Sequence, residues 1–301
     1  MLSFQLTPKP PFRLDLTVWA LRRQPTNILD RWDGEVYRRA IVYGETAHEV
    51  AIWQTGDRGN PHINIEVASA GSALEDAVRE SVGRLLGTQI DLSAFYAFAA
   101  ARPELRSLVE RFRGVKPPRY LSHFEALANG FFFQQISLAS GISLHNRFVE
   151  ALGLVSAAGT HAFPTPESAA RLSEDDLRLL GLSRQKARAM LELASKIVGG
   201  LDLGRVEGMG DDQAVAFLQQ LRGVCRWTAH YFLLRGLGRL HVFPGDEVGA
   251  RNRVGKLLGF QGPPDYEQMQ SILAGWRPFA GMVYFHLLLS RLADAGHIQL
   301  T

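Results

Sequence analysis

The sequence predicts an α+β fold in which a small, mixed antiparallel-sheet N-terminal domain (residues 1–92) precedes a larger all-α domain (residues 93–301). Three runs near the start carry β-branched or aromatic side chains at nearly alternate positions, which is the period of a half-buried strand. They are Glu35–Tyr43, Ala47–Gln54 and His62–Ala68. After about residue 92 the apolar side chains recur instead with the period of amphipathic helices.

Turn-forming residues separate the three predicted strands, and two predicted helices accompany them. Gly44-Glu45 lies between the first and second strands, and the Gly-, Asn- and Pro-containing segment 56–61 lies between the second and third. One helix is predicted to begin at Pro10-Pro11 and to run through Trp19 to Arg22. A second is predicted over Leu74–Leu86.

Helices dominate the rest of the chain. Short polar or Gly/Pro connections separate them, and we find no internal repeat and no low-complexity tract. The predicted helices are Phe95–Ala101, Leu105–Phe112, His123–Phe133, Ser137–Leu152, Arg184–Val198, Asp212–Leu221, Trp227–Leu234, Val248–Leu258 and Pro278–Leu292.

Composition narrows the classes of function. The chain has 301 residues, a formal net charge of +3 and a pI near 9.1. The segment from residue 219 to residue 256 contains seven Arg or Lys residues and only two acidic residues. This excess of positive charge favours a polyanionic partner for the segment. The single cysteine, Cys225, excludes an internal disulfide and a four-cysteine metal cluster. No secretory signal or bilayer-spanning apolar run is visible, so we expect a cytoplasmic protein that does not contact a membrane.

The segment Leu221–Ala229 connects two amphipathic stretches and is predicted to be a tight hairpin between helices. Gly223 supplies a residue that can adopt the sharp turn that such a hairpin requires. The N–H groups at the start of the second helix, together with the helix dipole, can hold a phosphate without reading base sequence. An ordinary helix–helix turn is the alternative interpretation of the hairpin alone.

The same segment, Leu-Arg-Gly-Val-Cys-Arg-Trp-Thr-Ala, resembles the hairpin of the helix–hairpin–helix DNA glycosylase superfamily, whose usual form is Leu-x-Gly-Val/Ile-Gly-x-x-Thr-Ala. That superfamily has a catalytic aspartate further along the chain, where this sequence has Asp246 in Val242–Asp246. Other stretches are similar to the branch typified by DNA-3-methyladenine glycosylase II. They are Phe133–Ser137, Phe163–Pro166, Leu179–Ala187 and Trp276–Phe279.

The resemblance implies a helix–hairpin–helix glycosylase domain and a monofunctional enzyme that acts on double-stranded DNA. It would flip and excise alkylated bases, including 3-methyladenine and 7-methylguanine, with Asp246 stabilising the sugar cation and directing water to C1′. Asp246 also precedes a helical run, so a helix N-cap is its alternative role, and one carboxylate can serve both. The rival functions are a glycosylase for oxidised or deaminated bases and a non-catalytic DNA-binding module.

Further residues receive roles by the same resemblance. Trp227, Tyr231 and Phe279 would line the base pocket, where aromatic faces attract a cationic base, although core packing is their ordinary role. Glu247 is either a partner of the helix dipole or a pocket residue. Gln135 aligns with the residue that fills the gap left by a flipped base. The residues predicted to contact DNA are Gln135, Arg222, Gly223, Val224, Cys225, Arg226 and Thr228.

Two departures from the family pattern affect these expectations. Cys225 replaces the second hairpin glycine and would be strained if that position has a positive φ. Trp227 replaces the lysine with which bifunctional relatives form an imine, so the covalent lyase route is removed.

We expect a monomer with no cofactor and no metal-ligand cluster. The resemblance implies at most a structural Na⁺ or K⁺ held by carbonyl groups such as those of Leu221 and Gly223.

Overall fold

The computed structural model describes residues 1–69, 71–245 and 248–298. Its first part is a five-stranded antiparallel sheet with strand order β1-β5-β4-β3-β2. The α+β class is therefore confirmed, and each predicted strand has a counterpart. The strands are β1 (Leu2–Leu6), β2 (Arg31–Trp32), β3 (Val36–Tyr43), β4 (Thr46–Thr55) and β5 (His62–Val67).

Strands β1 and β2 were not predicted. β1 pairs with β5 from Leu2 opposite Val67 to Leu6 opposite Ile63, and its side chains alternate between partly buried and exposed. The period of a strand was thus present in the sequence of β1. β2 is only two residues long, which is too short to show a period.

Two helices pack on the sheet, α1 (Leu14–Arg22) and α2 (Ser72–Leu86). The prediction that the first helix begins at Pro10-Pro11 is wrong. Neither proline has an N–H group, the Phe12 N–H donates to the Arg58 carbonyl at 3.0 Å, and Arg13 is extended with φ −132°. The hydrogen bond to Arg58 and the extended backbone at Arg13 keep this segment out of the helix, which begins at Leu14.

Helices form the remainder, and every helix predicted there has a counterpart. They are α3 (Ser93–Ala100), α4 (Pro103–Arg111), α5 (His123–Phe133), α6 (Leu138–Leu152), α7 (Pro166–Ala170), α8 (Glu174–Leu179), α9 (Arg184–Val198), α10 (Asp211–Leu218), α11 (Arg226–Arg235), α12 (Val248–Leu258), α13 (Tyr266–Gly275) and α14 (Ala280–Asp294), with a 3₁₀ helix at Leu203–Gly208. α7, α8 and α13 were not predicted. α8 and α13 begin with capping boxes, Ser173 with Asp176 and Asp265 with Gln268, so a sequence signal for both existed.

Helix α1 contributes to two apolar cores. Leu14, Val18 and Leu21 pack under the sheet, whereas Leu16 and Trp19 join the core formed mainly by α3, α4, α12, α13 and α14. The N-terminal part is therefore packed into the helical part, and the division at residues 92 and 93 stays a prediction. A separate core contains side chains of α5, α6, α9, α10 and α11.

Within the described ranges, no single helix has both the length and the apolar character needed to cross a membrane. Helices α13 and α14 meet that standard only as a pair, and they are bent by 110° at the break between them.

Candidate functional site

The predicted hairpin lies between the end of α10 at Leu218 and the start of α11 at Arg226. Gly223 has φ +80°, and a Cβ atom there would lie 2.6 Å from the Cβ of Ala189. The position therefore requires glycine both for its backbone conformation and for the close approach of α9. Gly223 itself is exposed.

Cys225 is the N-cap of α11 and has φ −87° and ψ 175°. This is ordinary extended backbone, so the strain expected from a positive φ does not arise. The cysteine Sγ lies 3.3 Å from the Thr228 hydroxyl, and no acidic residue occupies the first turn of α11. The positive end of the helix dipole is consequently available to an anion.

The structure divides the predicted DNA-contacting residues of the hairpin into two groups. Arg222, Gly223, Cys225 and Arg226 are exposed. Val224 and Thr228 have buried side chains, so their contact with DNA stays a prediction that concerns the backbone alone. Their side chains join the core instead: the methyl group of Thr228 lies so close to Gly130 of α5 that a Cβ atom on that glycine would be 2.6 Å away.

The exposed arginines already have partners within the protein. The Arg222 Nε donates to Glu192 of α9 at 2.7 Å, and the Arg226 Nη1 donates to the Tyr266 hydroxyl at 2.7 Å. The carbonyl group of Leu221 accepts a hydrogen bond from the Val224 N–H at 3.1 Å. Because a carbonyl oxygen has two lone pairs, one remains for a monovalent cation, which stays a prediction.

Gln135 lies between α5 and α6, is exposed and has φ +60°, which is unusual for a residue other than glycine. The neighbouring Ile136 is also an exposed apolar side chain. Lys186 of α9 holds this loop from beneath, donating from Nζ to the carbonyl groups of Gln134 at 3.0 Å and Phe132 at 3.4 Å. Burial lowers the pKa of Lys186.

A cavity of about 60 Å³ opens beside this loop and the hairpin helix. Trp227 and Tyr231 form one wall, with ring centroids 5.1 Å apart and planes inclined by 24°. The cavity therefore combines aromatic, aliphatic and cationic groups. The other lining residues are Arg23, Phe133, Ile136, Leu138, Phe243, Gly249, Ala250, Arg253, Tyr284, Leu287, Leu288 and Arg291.

Arg23 reaches this cavity from the N-terminal part of the chain. It caps the C-terminal end of α1 with φ 58° and is 6% exposed. Its Nη1 donates to the Tyr231 hydroxyl at 3.2 Å, and its Nη2 donates to the Tyr120 hydroxyl at 3.1 Å and to Asn129 at 3.4 Å. No periodicity or motif in the sequence identifies Arg23, because its partners lie about a hundred residues or more away.

Phe279 requires a correction. Its ring packs 5.7 Å from that of Phe95 and 5.3 Å from that of Phe98, in the core formed by α3 and α14, and it does not line the cavity. The predicted catalytic Asp246 and the predicted pocket residue Glu247 lie outside the described residues. Phe243 and Gly249, each three residues from Asp246 in sequence, do line the cavity.

No group of three potential metal ligands occurs in the ranges 1–69, 71–245 and 248–298.

Residues 131–278 match the model for the HhH-GPD superfamily of base excision DNA repair proteins. The chain is 26% identical to a DNA-3-methyladenine glycosylase of Bacillus subtilis over 284 residues, which are 92% of this chain and 93% of the relative. It is also 26% identical to DNA-3-methyladenine glycosylase 2 of Escherichia coli, covering 94% and 96% of the two chains. The solved 3-methyladenine DNA-glycosylase from Archaeoglobus fulgidus superposes with a TM-score of 0.82 at 29% identity, covering 95% and 97%.

Proposed function

Because the chain belongs to the HhH-GPD superfamily of base excision DNA repair proteins, we propose that it is a monofunctional DNA glycosylase that excises alkylated bases from double-stranded DNA. One observation carries the proposal. Helix α11 presents its exposed N-terminus at the hairpin and, within two turns, the stacked pair Trp227 and Tyr231 at the cavity. A phosphate site and a flat aromatic pocket at this separation suit a nucleotide that has left the base stack.

DNA would bind through the hairpin and the loop at Gln135. The free N–H groups of α11, with Arg222 and Arg226, would contact phosphates. Gln135, exposed and held in a strained conformation by a loop that Lys186 anchors, would enter the gap left by the flipped nucleotide. Substrates would include 3-methyladenine, the base that the names of the relatives give, and 7-methylguanine, which is also alkylated on a ring nitrogen.

Asp246 would supply the negative charge that the reaction requires. Cleavage of the N-glycosidic bond leaves positive charge on the sugar, which a carboxylate stabilises while it directs water to C1′. Phe243 and Gly249, which precede and follow Asp246 by three residues in sequence, line the cavity. A base alkylated on a ring nitrogen departs as a neutral molecule, so no strong general acid is needed.

Water would be the attacking nucleophile. Trp227 occupies the position of the lysine that forms an imine in bifunctional relatives, and no lysine is among the described residues that line the cavity. The protein should therefore leave abasic sites without cutting the strand. Trapping of a covalent DNA adduct with borohydride would contradict this part of the proposal.

The proposal is tested by identifying the bases that the protein releases from DNA that contains methylated, oxidised and deaminated bases. Asp246→Asn should abolish release and retain DNA affinity, because the amide keeps the size of the side chain and its capping ability but not its charge. Asp265→Asn is the matched control, since Asp265 caps α13 and is not a cavity residue. Normal release by Asp246→Asn would remove this residue from the mechanism. Release of only oxidised or deaminated bases would favour the rival glycosylase, and binding without release would favour a non-catalytic module.

A further inference from the structure

We propose that Arg23 is a specificity-determining residue of the cavity that promotes departure of the base and disfavours the binding of cationic bases relative to neutral ones. The inference rests on the proposed function and deepens it. It also differs from the expectation that aromatic faces alone select the base, because that expectation did not include a buried guanidinium at the same cavity.

The buried charge of Arg23 has no ion-pair partner within residues 1–69, 71–245 and 248–298. Its hydrogen bonds go to two tyrosine hydroxyls and one amide, and its Cζ lies 3.8 Å from the centroid of the Phe133 ring. None of the ion pairs among the described residues involves Arg23. The nearby carboxylate of Asp30 is already paired with Arg39 at 2.6 Å. An arginine keeps its proton under these conditions, so Arg23 carries a full positive charge at the cavity.

The local backbone is unfavourable for any residue except glycine. Arg23 has φ 58° at the end of α1, where glycine is the residue that adopts this conformation without strain. In addition, the Arg23 Nε has no hydrogen-bond partner among the described residues. A strained backbone at a residue that lines the cavity points to a ligand-directed role for this arginine.

The reaction gives this charge a defined effect. When the C1′–N bond breaks, its electron pair stays on the base, so a neutral base becomes an anion and a cationic base becomes neutral. The sugar gains the positive charge, and water then forms the C1′–O bond and gives up a proton, which goes to the departing base when that base is an anion and to solvent when it is neutral. A fixed positive charge beside the base therefore stabilises the transition state relative to the bound state for both classes of base.

Binding responds differently from bond cleavage. Before the bond breaks, Arg23 repels a cationic base such as 7-methylguanine and does not repel a neutral one such as hypoxanthine. Arg253 and Arg291 also line the cavity, but both are only partly buried, and solvent and salt screen their charges more strongly. Among the described residues that line the cavity, Arg23 is therefore the one in which the charge effect is concentrated.

The test uses single-turnover excision and binding on two duplexes, one with 7-methylguanine and one with hypoxanthine. Arg23→Met should lower the rate at saturating enzyme on both duplexes by roughly 10- to 100-fold. It should also tighten binding of the 7-methylguanine duplex and leave that of the hypoxanthine duplex unchanged. Arg23→Lys, which keeps the charge, should retain most of the rate.

Arg235→Met is the matched control. Arg235 is equally buried, donates to the Ala20 carbonyl at 3.1 Å and packs over Tyr120, but it does not line the cavity. It should affect both duplexes alike and only to the extent that it lowers the unfolding temperature. If Arg23→Met behaves as Arg235→Met does, or leaves the saturated rate unchanged, Arg23 is only structural. If the wild-type protein releases neither base, the proposed function itself is wrong.

Discussion

Arg39 of β3 and Glu125 of α5, 86 residues apart in sequence, form an ion pair of 2.6 Å in which the two side chains are 1% and 2% exposed. Arg39 donates a second time to Asp30 at 2.6 Å, and the Tyr37 hydroxyl also donates to Asp30 at 2.6 Å. The buried group thus ties the sheet to the helix that ends at Phe133, a cavity residue. It helps to hold Arg23, which the N-terminal part supplies, against the helices of the cavity.

Removing one charge of this group should destabilise the protein strongly. Glu125→Gln should lower the free energy of unfolding by about 3 kcal/mol, because the buried Arg39 keeps only Asp30 as a charged partner. Denaturant unfolding with an unchanged m-value measures the loss. The control is Glu75→Gln, which breaks the more exposed Arg79–Glu75 pair and should lower the free energy by less than about 1 kcal/mol. Equal losses in the two variants would contradict the prediction.

Features with local signals were predictable from the sequence, and features made by distant contacts were not. The hairpin helices and the need for Gly223 could be predicted from short sequence patterns. A sharp turn and helical periodicity both depend on residues that lie close together in the sequence. The roles of Arg23 and Arg39 depend on partners far away in the sequence. Phe279 was assigned to the pocket by its position in a motif, but the packing of α3 against α14, which no local pattern encodes, places it in the core.

Two buried histidines should make stability depend on pH. Burial lowers the pKa of His145 and of His286 from 6.5 to about 4, so both are neutral in the folded protein above that pH. Below pH 6.5 the unfolded chain binds protons at these positions that the folded chain does not. Their contribution to stability is therefore complete above pH 6.5 and is lost as the pH falls towards 4, by about 1.4 kcal/mol per pH unit for each histidine.

The variant His286→Met checks this linkage. It removes a buried imidazole whose Nδ1 bonds to the Met282 carbonyl at 2.8 Å and replaces it with an apolar side chain that does not titrate. The free energy of unfolding, measured from pH 7 to pH 4, should fall less steeply in the variant than in the wild type. Parallel curves would show that His286 takes up no proton on unfolding.

Gly223→Ala should damage the hairpin more than a comparable change elsewhere. The new methyl group would meet Ala189 at 2.6 Å and would also be held at φ +80°. Gly200→Ala is the matched control, since Gly200 has φ +101° but no atom within 4 Å of the added Cβ. The control should lose about 1 kcal/mol of stability from backbone strain alone and keep its DNA affinity. Gly223→Ala should lose more stability and bind DNA more weakly, and equal behaviour of the two would contradict the steric argument.

Glu192 should restrain DNA binding at the hairpin. Its carboxylate accepts from Arg222 at 2.7 Å and from Lys196 at 2.9 Å, and these hydrogen bonds lower its pKa, so it is ionised at neutral pH. A phosphate that approaches the hairpin must therefore compete with this carboxylate for Arg222 and is repelled by its charge. Glu192→Gln should raise affinity for damaged and undamaged DNA alike and leave the excision rate at saturation unchanged.

The salt dependence of binding identifies the cause. If Arg222 gains a phosphate contact in Glu192→Gln, the slope of log affinity against log salt should become steeper by about 0.9. Arg222→Ala in the same background should reverse that change. Glu174→Gln is the control, because Glu174 also accepts from two arginines, Arg184 and Arg188, but not from a hairpin residue. An equal rise in affinity in both variants would mean that only the net charge of the protein matters, and that the hairpin arginine is not released to the DNA.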